Sequence, residues 1–155
     1  MQCLSFCIFK SIPTETTMKI QEQLEALITL ALIDNELSNI EKRSIYNLGK
    51  ANELKEGEID EIFTSVLRRK ELAAPSVSIG SDEEKFEFLY SIVQLMKIDK
   101  KVYLSEIKFC EEMALKLGYK SQLISELSAK VFSDPHIISD HHELQILLDK
   151  YKLSE

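Results

Sequence analysis

Residues 27–54, LITLALIDNELSNIEKRSIYNLGKANEL, read as an apolar helix, a short acidic turn and a second amphipathic helix. The layout recurs at a constant offset in LYSIVQLMKIDKKVYLSEIKFCEEMALKLGY. Asp99 stands 65 residues after Asp34, and Glu106 stands 65 after Glu41. Leu89, Ile98 and Val102 match Leu24, Ile33 and Leu37 in the same way. Two such units each present an apolar face of helical period, and packing the copies together about a pseudo-twofold axis would bury both. The expected fold class is therefore all-α: an irregular bundle of about seven helices with an internal duplication of a helix–acidic turn–helix unit.

Composition supports helices and narrows the partners. Only 4 glycines and 3 prolines punctuate 155 residues, so turns are few and elements long. The net charge of −7 leaves no basic face to displace counterions from a nucleic acid, which argues against DNA or RNA as partner. The one basic cluster, Arg68-Arg69-Lys70, closes an expected helix, where cations complement the helix dipole. Cys3, Cys7 and Cys110 make no disulfide framework, and Cys110 falls on an apolar helical stripe with Ile107 and Ala114; a reducing cytoplasm fits these best. No apolar run approaches the roughly 18 residues of a membrane span. The opening MQCLSFCIF lacks the basic start and cleavage site of a signal peptide. Met18 is a candidate start of translation, and residues 1–17 are expected to form a tail or a short arm ahead of a single domain at 18–155.

Along the chain, Thr16 or Thr17 is expected to cap a first helix over 18–33, with Ile20, Leu24, Leu27, Ile28 and Ala31 inward. Ser38 with Glu41 forms a capping box for a second helix that ends near Asn52. A third helix is expected over 56–71, burying Ile59, Ile62, Phe63 and Val66. Residues 73–82, AAPSVSIGSD, connect two halves at about 18–72 and 82–133. Ser81 and Glu84 open the fourth helix; a fifth runs over 104–117 and stops at Gly118. A sixth follows over 121–131, the SDP at 133–135 interrupts, and a last helix over 140–151 carries Leu144, Leu147 and Leu148 inward.

The paired turns resemble a known family. Asp34-Asn35-Glu36-Leu37 followed by Glu41, and Asp99-Lys100-Lys101-Val102 followed by Glu106, are similar to the D-G-x-[ILV]-x-x-x-E signature of TerB-like proteins. Both copies keep the aspartate, the aliphatic residue three on and the glutamate seven on. Both lack the glycine: Asn35 adopts a left-handed backbone at modest cost, whereas Lys100 is less suited to it. The resemblance covers residues 18–131. It implies an all-helical fold associated with tellurite and other stress resistance, no common enzymatic activity, and in some members divalent cations held on an acidic patch.

Two readings of the turns stay open. Asp34, Glu36, Glu41, Asp99 and Glu106 are candidate ligands for a divalent cation, Ca²⁺ or Mg²⁺, since hard cations take carboxylate oxygens and two related turns supply several. The spacing is not that of an EF-hand. Alternatively, Asp34 caps a turn, Glu41 completes the box with Ser38, and Glu106 sits in a first turn where the dipole favours an anion. Tyr103 falls where a polar cap is expected, placing an aromatic ring over the acidic patch or against a partner. A transition-metal site from His136, His141 and His142 is disfavoured because adjacent histidines on a helix point apart. Phosphate-loop, G-x-S-x-G, H-E-x-x-H and C-x-x-C motifs are absent from the sequence. The expected function is a non-enzymatic, stress-response-associated domain that binds a divalent cation, a protein partner or both through the paired turns. The alternative is a pure protein-interaction module whose turns are structural caps.

Overall fold

The computed structural model describes residues 15–98, 100–130 and 141–154, and among these the chain is helical throughout. The helices are α1 (Glu15–Leu32), α2 (Asn39–Ala51), α3 (Glu56–Leu67), α4 (Asp82–Lys97), α5 (Leu104–Lys116), α6 (Gln122–Lys130) and α7 (His141–Tyr151). There is no strand among the described residues; one isolated antiparallel bridge joins Tyr119 to Lys152.

Two amphipathic helices bury the most side chains and form the centre, their polar residues kept to one face. On α1, Leu24, Ala26, Leu27, Ile28, Leu30 and Ala31 are all buried. Thr29 joins them because its hydroxyl donates to the Glu25 carbonyl at 2.6 Å, leaving no unpaired polar atom. On α4, Phe86 to Met96 contribute eight buried side chains, from Phe86, Phe88, Leu89 and Tyr90 through Ile92 and Val93 to Leu95 and Met96. α1 packs against α4. Around them, α1, α2 and α3 pack on one another, as do α4, α5 and α6, and α7 leans on α6. The apolar residues expected inward on α1 and α3 are buried, and Leu147 and Leu148 hold α7.

Two helix limits differ from expectation by more than one residue. α1 begins at Glu15, so Thr16 and Thr17 lie inside it rather than capping it. α3 ends at Leu67 instead of 71, and the backbone folds back with Arg69 N donating to Val66 O at 3.0 Å. That places Arg68, Arg69 and Lys70 just beyond the helix, where Arg69 reaches Glu25 of α1 at 2.6 Å. The connector is pinned along its length: Ser78 N donates to Glu22 at 2.7 Å, and the Lys116 ammonium donates to the Ala74 carbonyl. The tail at 1–14, Cys3, Cys7, Asp99, His136 and the SDP at 133–135 lie outside the described residues, as do the side chains of His141 and Leu144. No described helix is long and apolar enough to cross a membrane.

The chain end is strapped to α4 by a polar cluster. Tyr119, buried, donates its hydroxyl to Asp82 at 2.9 Å, and the Lys152 ammonium meets the other oxygen at 2.8 Å. Lys120 N and Leu153 N complete the strap with bonds to Tyr151 O and Gly118 O. Lys152 first, then Tyr119, hold the Asp82 carboxyl below its ordinary value. A folded-state pKa below the unfolded one stabilises the fold at pH above the unfolded value, near 4. That contribution fades as pH falls through the depressed value. Asp82→Asn is therefore expected to lose about 1 kcal/mol at neutral pH, solvent screening included. Its acid unfolding curve should also be flatter than the native chain's between pH 5 and pH 2, as chemical denaturation at stepped pH will read.

Candidate functional site

The first turn is built from residues that are short of helix and rich in caps. Past Leu32 the chain tightens: Ile33 N and Asn35 N bond to Leu30 O and Leu32 O, and Asn35 takes φ 65°. Asp34 turns its carboxylate back to accept from Glu36 N at 2.9 Å. Ser38 then caps α2 with its hydroxyl accepting from Glu41 N, while Glu41 Oε2 accepts from Ser38 N at 2.8 Å and Ser38 Oγ at 2.7 Å. This is the reciprocal box read from the sequence, and it explains why Glu41 is only 1% exposed.

The second turn repeats these features at the same separation. Ile98 N and Lys100 N bond to Leu95 O and Lys97 O, and Lys100 takes φ 64° despite its side chain. Glu106, also 1% exposed, accepts from Tyr103 N at 2.8 Å. Tyrosine has no short oxygen to return the cap, so half of the box is kept. α2 and α5 start and stop 65 residues apart, and beyond each comes a left-handed residue, Glu53 at φ 66° and Gly118 at φ 92°. A lysine in the left-handed region costs about 1–2 kcal/mol relative to its favoured conformations. Lys100→Gly is thus expected to stabilise the fold by about 0.5–1 kcal/mol after the extra unfolded-state entropy of glycine. Asn35→Gly should be near neutral, and thermal melts of both variants compare the two turns.

The two turns meet. Tyr103 extends its hydroxyl to Glu36 Oε2 at 3.3 Å, and Lys101 Nζ lies 3.9 Å from the same oxygen. The tyrosine hydroxyl thus reaches the acidic turn at Glu36 while the ring stays partly exposed. Four of the five candidate ligands can be placed: Glu36 faces the second turn, Asp34 closes its own loop, and Glu41 and Glu106 cap their helices. Each accepts from a donor within the protein. Asp99 lies outside the described residues, and no cluster of three or more His, Cys, Asp or Glu side chains suited to a metal occurs among the described ones. Cys110, one turn after Glu106, is buried against Met96; burial first, and then Glu106, pushes its thiol up, away from reactive thiolate.

What composition did not reveal is the apolar skin around the seam. Ile40 in the first turn of α2, Val102 in the second loop and Leu104 at the start of α5 are 51%, 45% and 66% exposed. From this end a groove of about 380 Å³ runs between α2 and α4, floored by Leu27 of α1. Its signal lay in Ser44 and Ser91, small residues on faces that otherwise carry bulk. Compared with known families, characterised proteins and solved structures, the chain matches none.

Proposed function

We propose that this chain is a non-enzymatic protein-interaction module, with structural acidic turns and a docking end where the two turns meet. One observation carries the reading: the described carboxylates of the turns are engaged by protein donors, whereas Ile40, Val102 and Leu104 stand exposed on the segments beside them. Single exposed apolar residues are ordinary on any surface. Three on the segments that flank the Glu36–Tyr103–Lys101 seam support a contact surface at that end. Val102→Asp with Leu104→Asp tests it, since both positions are exposed and the fold should tolerate the change. Affinity capture with the native chain should retain a stoichiometric protein that the double variant loses. Equal recovery by both would contradict the reading.

The halves at 18–72 and 82–133 are, in this proposal, copies of one three-helix unit. The 65-residue correspondence of α2 with α5, of Asn35 with Lys100 and of Glu53 with Gly118 supports it. The TerB-like assignment and its link to stress resistance rest on the shared aspartate–glutamate spacing. Cation binding by Asp34, Glu36, Glu41, Asp99 and Glu106 is the competing proposal, favoured by the burial of Glu41 and Glu106 on adjoining turns.

A further inference from the structure

The groove between α2 and α4 continues past Ser91 and Leu48 into a second hollow of about 280 Å³, which ends at Glu84 and Glu87 near the start of α4. From Ile98 to Glu84 the trough follows 14 residues of α4, about 21 Å, or four turns of a helix. Its floor is apolar. Its rim is uncharged toward the paired turns and acidic at the far end, and no lysine or arginine lines either part.

The opposite side of the molecule shows what is missing. Ser44 and Leu48 of α2 are half-buried, whereas Phe109 and Met113, 65 residues on, are buried. Gln94 is exposed and Ser91 half-buried, whereas Thr29 and Ala26, 65 residues back, are buried. One face is closed by bulk within the chain, and its counterpart is left open by two serines.

We infer that this trough seats an amphipathic helix of a partner protein, about four turns long, with its apolar stripe on the half-buried Ile98, Leu48 and Ile79 and basic side chains over Glu84 and Glu87. The inference rests on the interaction-module reading and names its partner's chemistry. Helix-in-groove binding lays the apolar anchors of one helix face, at i, i+3, i+4 and i+7, along such a trough. The acidic far end selects the sign and direction of the partner.

Fluorescence anisotropy with labelled peptides of about 16 residues tests it. One carries leucines at helical spacing and lysines at one end; its control carries glutamates in their place. The full chain should bind the basic peptide about tenfold more tightly than the acidic one, with the advantage shrinking as salt rises. Ser44→Phe, which fills the trough as Phe109 fills the other side, should abolish binding. Gln94→Arg, on the exposed rim, should weaken it without touching the core. Glu84→Gln with Glu87→Gln should erase the preference for lysine. Equal binding of both peptides, or indifference to Ser44→Phe and Gln94→Arg, would overturn the inference. So would a dimer of the native chain that Ser44→Phe makes monomeric, because a second copy would then be the occupant. Retention of the captured protein by Ser44→Phe but not by Val102→Asp/Leu104→Asp would remove the groove and leave the turn-end reading intact.

Discussion

Gly49→Val is expected to destabilise the fold by about 3 kcal/mol or more, the upper range of overpacking. Gly49 lies inside α2, where glycine is a poor helix former and alanine would gain about 1 kcal/mol in an open setting. The setting is closed. A Cβ at this position would stand 2.6 Å from Ile59 Cδ1, 2.9 Å from Ile59 Cγ1 and 3.4 Å from Leu24 Cδ1. Ile59 and Leu24 are both wholly buried, so neither can swing into solvent. α2 therefore approaches α1 and α3 through a bare backbone, and even Gly49→Ala should lose about 1 kcal/mol net. The residue 65 positions on, Ala114, already carries a buried Cβ, and Ala114→Gly should cost only about 1 kcal/mol, near the propensity difference. Urea titration of the three variants will read these differences.

Glu41→Ala is expected to cost about 2–3 kcal/mol, the range for losing charged hydrogen bonds at a helix start. The carboxylate receives Ser38 N and Ser38 Oγ in a site with almost no water access, so its removal leaves donors stranded. Glu106→Ala should fall in the same range, because Tyr103 N depends on it and Tyr103 offers no return cap. Glu41→Gln can set its one carbonyl oxygen where Oε2 receives both donors, and should recover more than half of the loss. If the carboxylates are caps, these costs appear equally in chelator and in millimolar Mg²⁺.

Much of the fold was readable because it depends on local rules. The buried stripes of α1, α3 and α4 follow from apolar residues at helical spacing; Ser38 and Ser81 mark helix starts by their hydroxyl caps, and Gly118 marks a helix end by the left-handed backbone it takes without strain. Residues 68–71 suit a helix, so the sequence expectation runs α3 to residue 71. The chain leaves at Leu67, and Arg69 is drawn to Glu25 on another helix. Lys100 likewise takes a backbone that its own preferences oppose, held by its place between α4 and α5. The seam of Glu36 with Tyr103 and Lys101 joins residues 67 and 65 positions apart, so no local rule announces it. The groove was hidden for another reason: it is defined by volume that Ser44 and Ser91 do not fill.

The central claim is that the acidic turns are caps supporting a docking end. Thermal unfolding of the metal-stripped chain, with and without millimolar Ca²⁺, Mg²⁺, Mn²⁺ or Zn²⁺, measures it most directly. The account predicts the same midpoint in every condition, with Glu41→Ala and Glu106→Ala lowered by an amount that no ion changes. A rise of several degrees in one ion that Asp34→Asn with Asp99→Asn abolishes would contradict it, and would make the two turns a cation site.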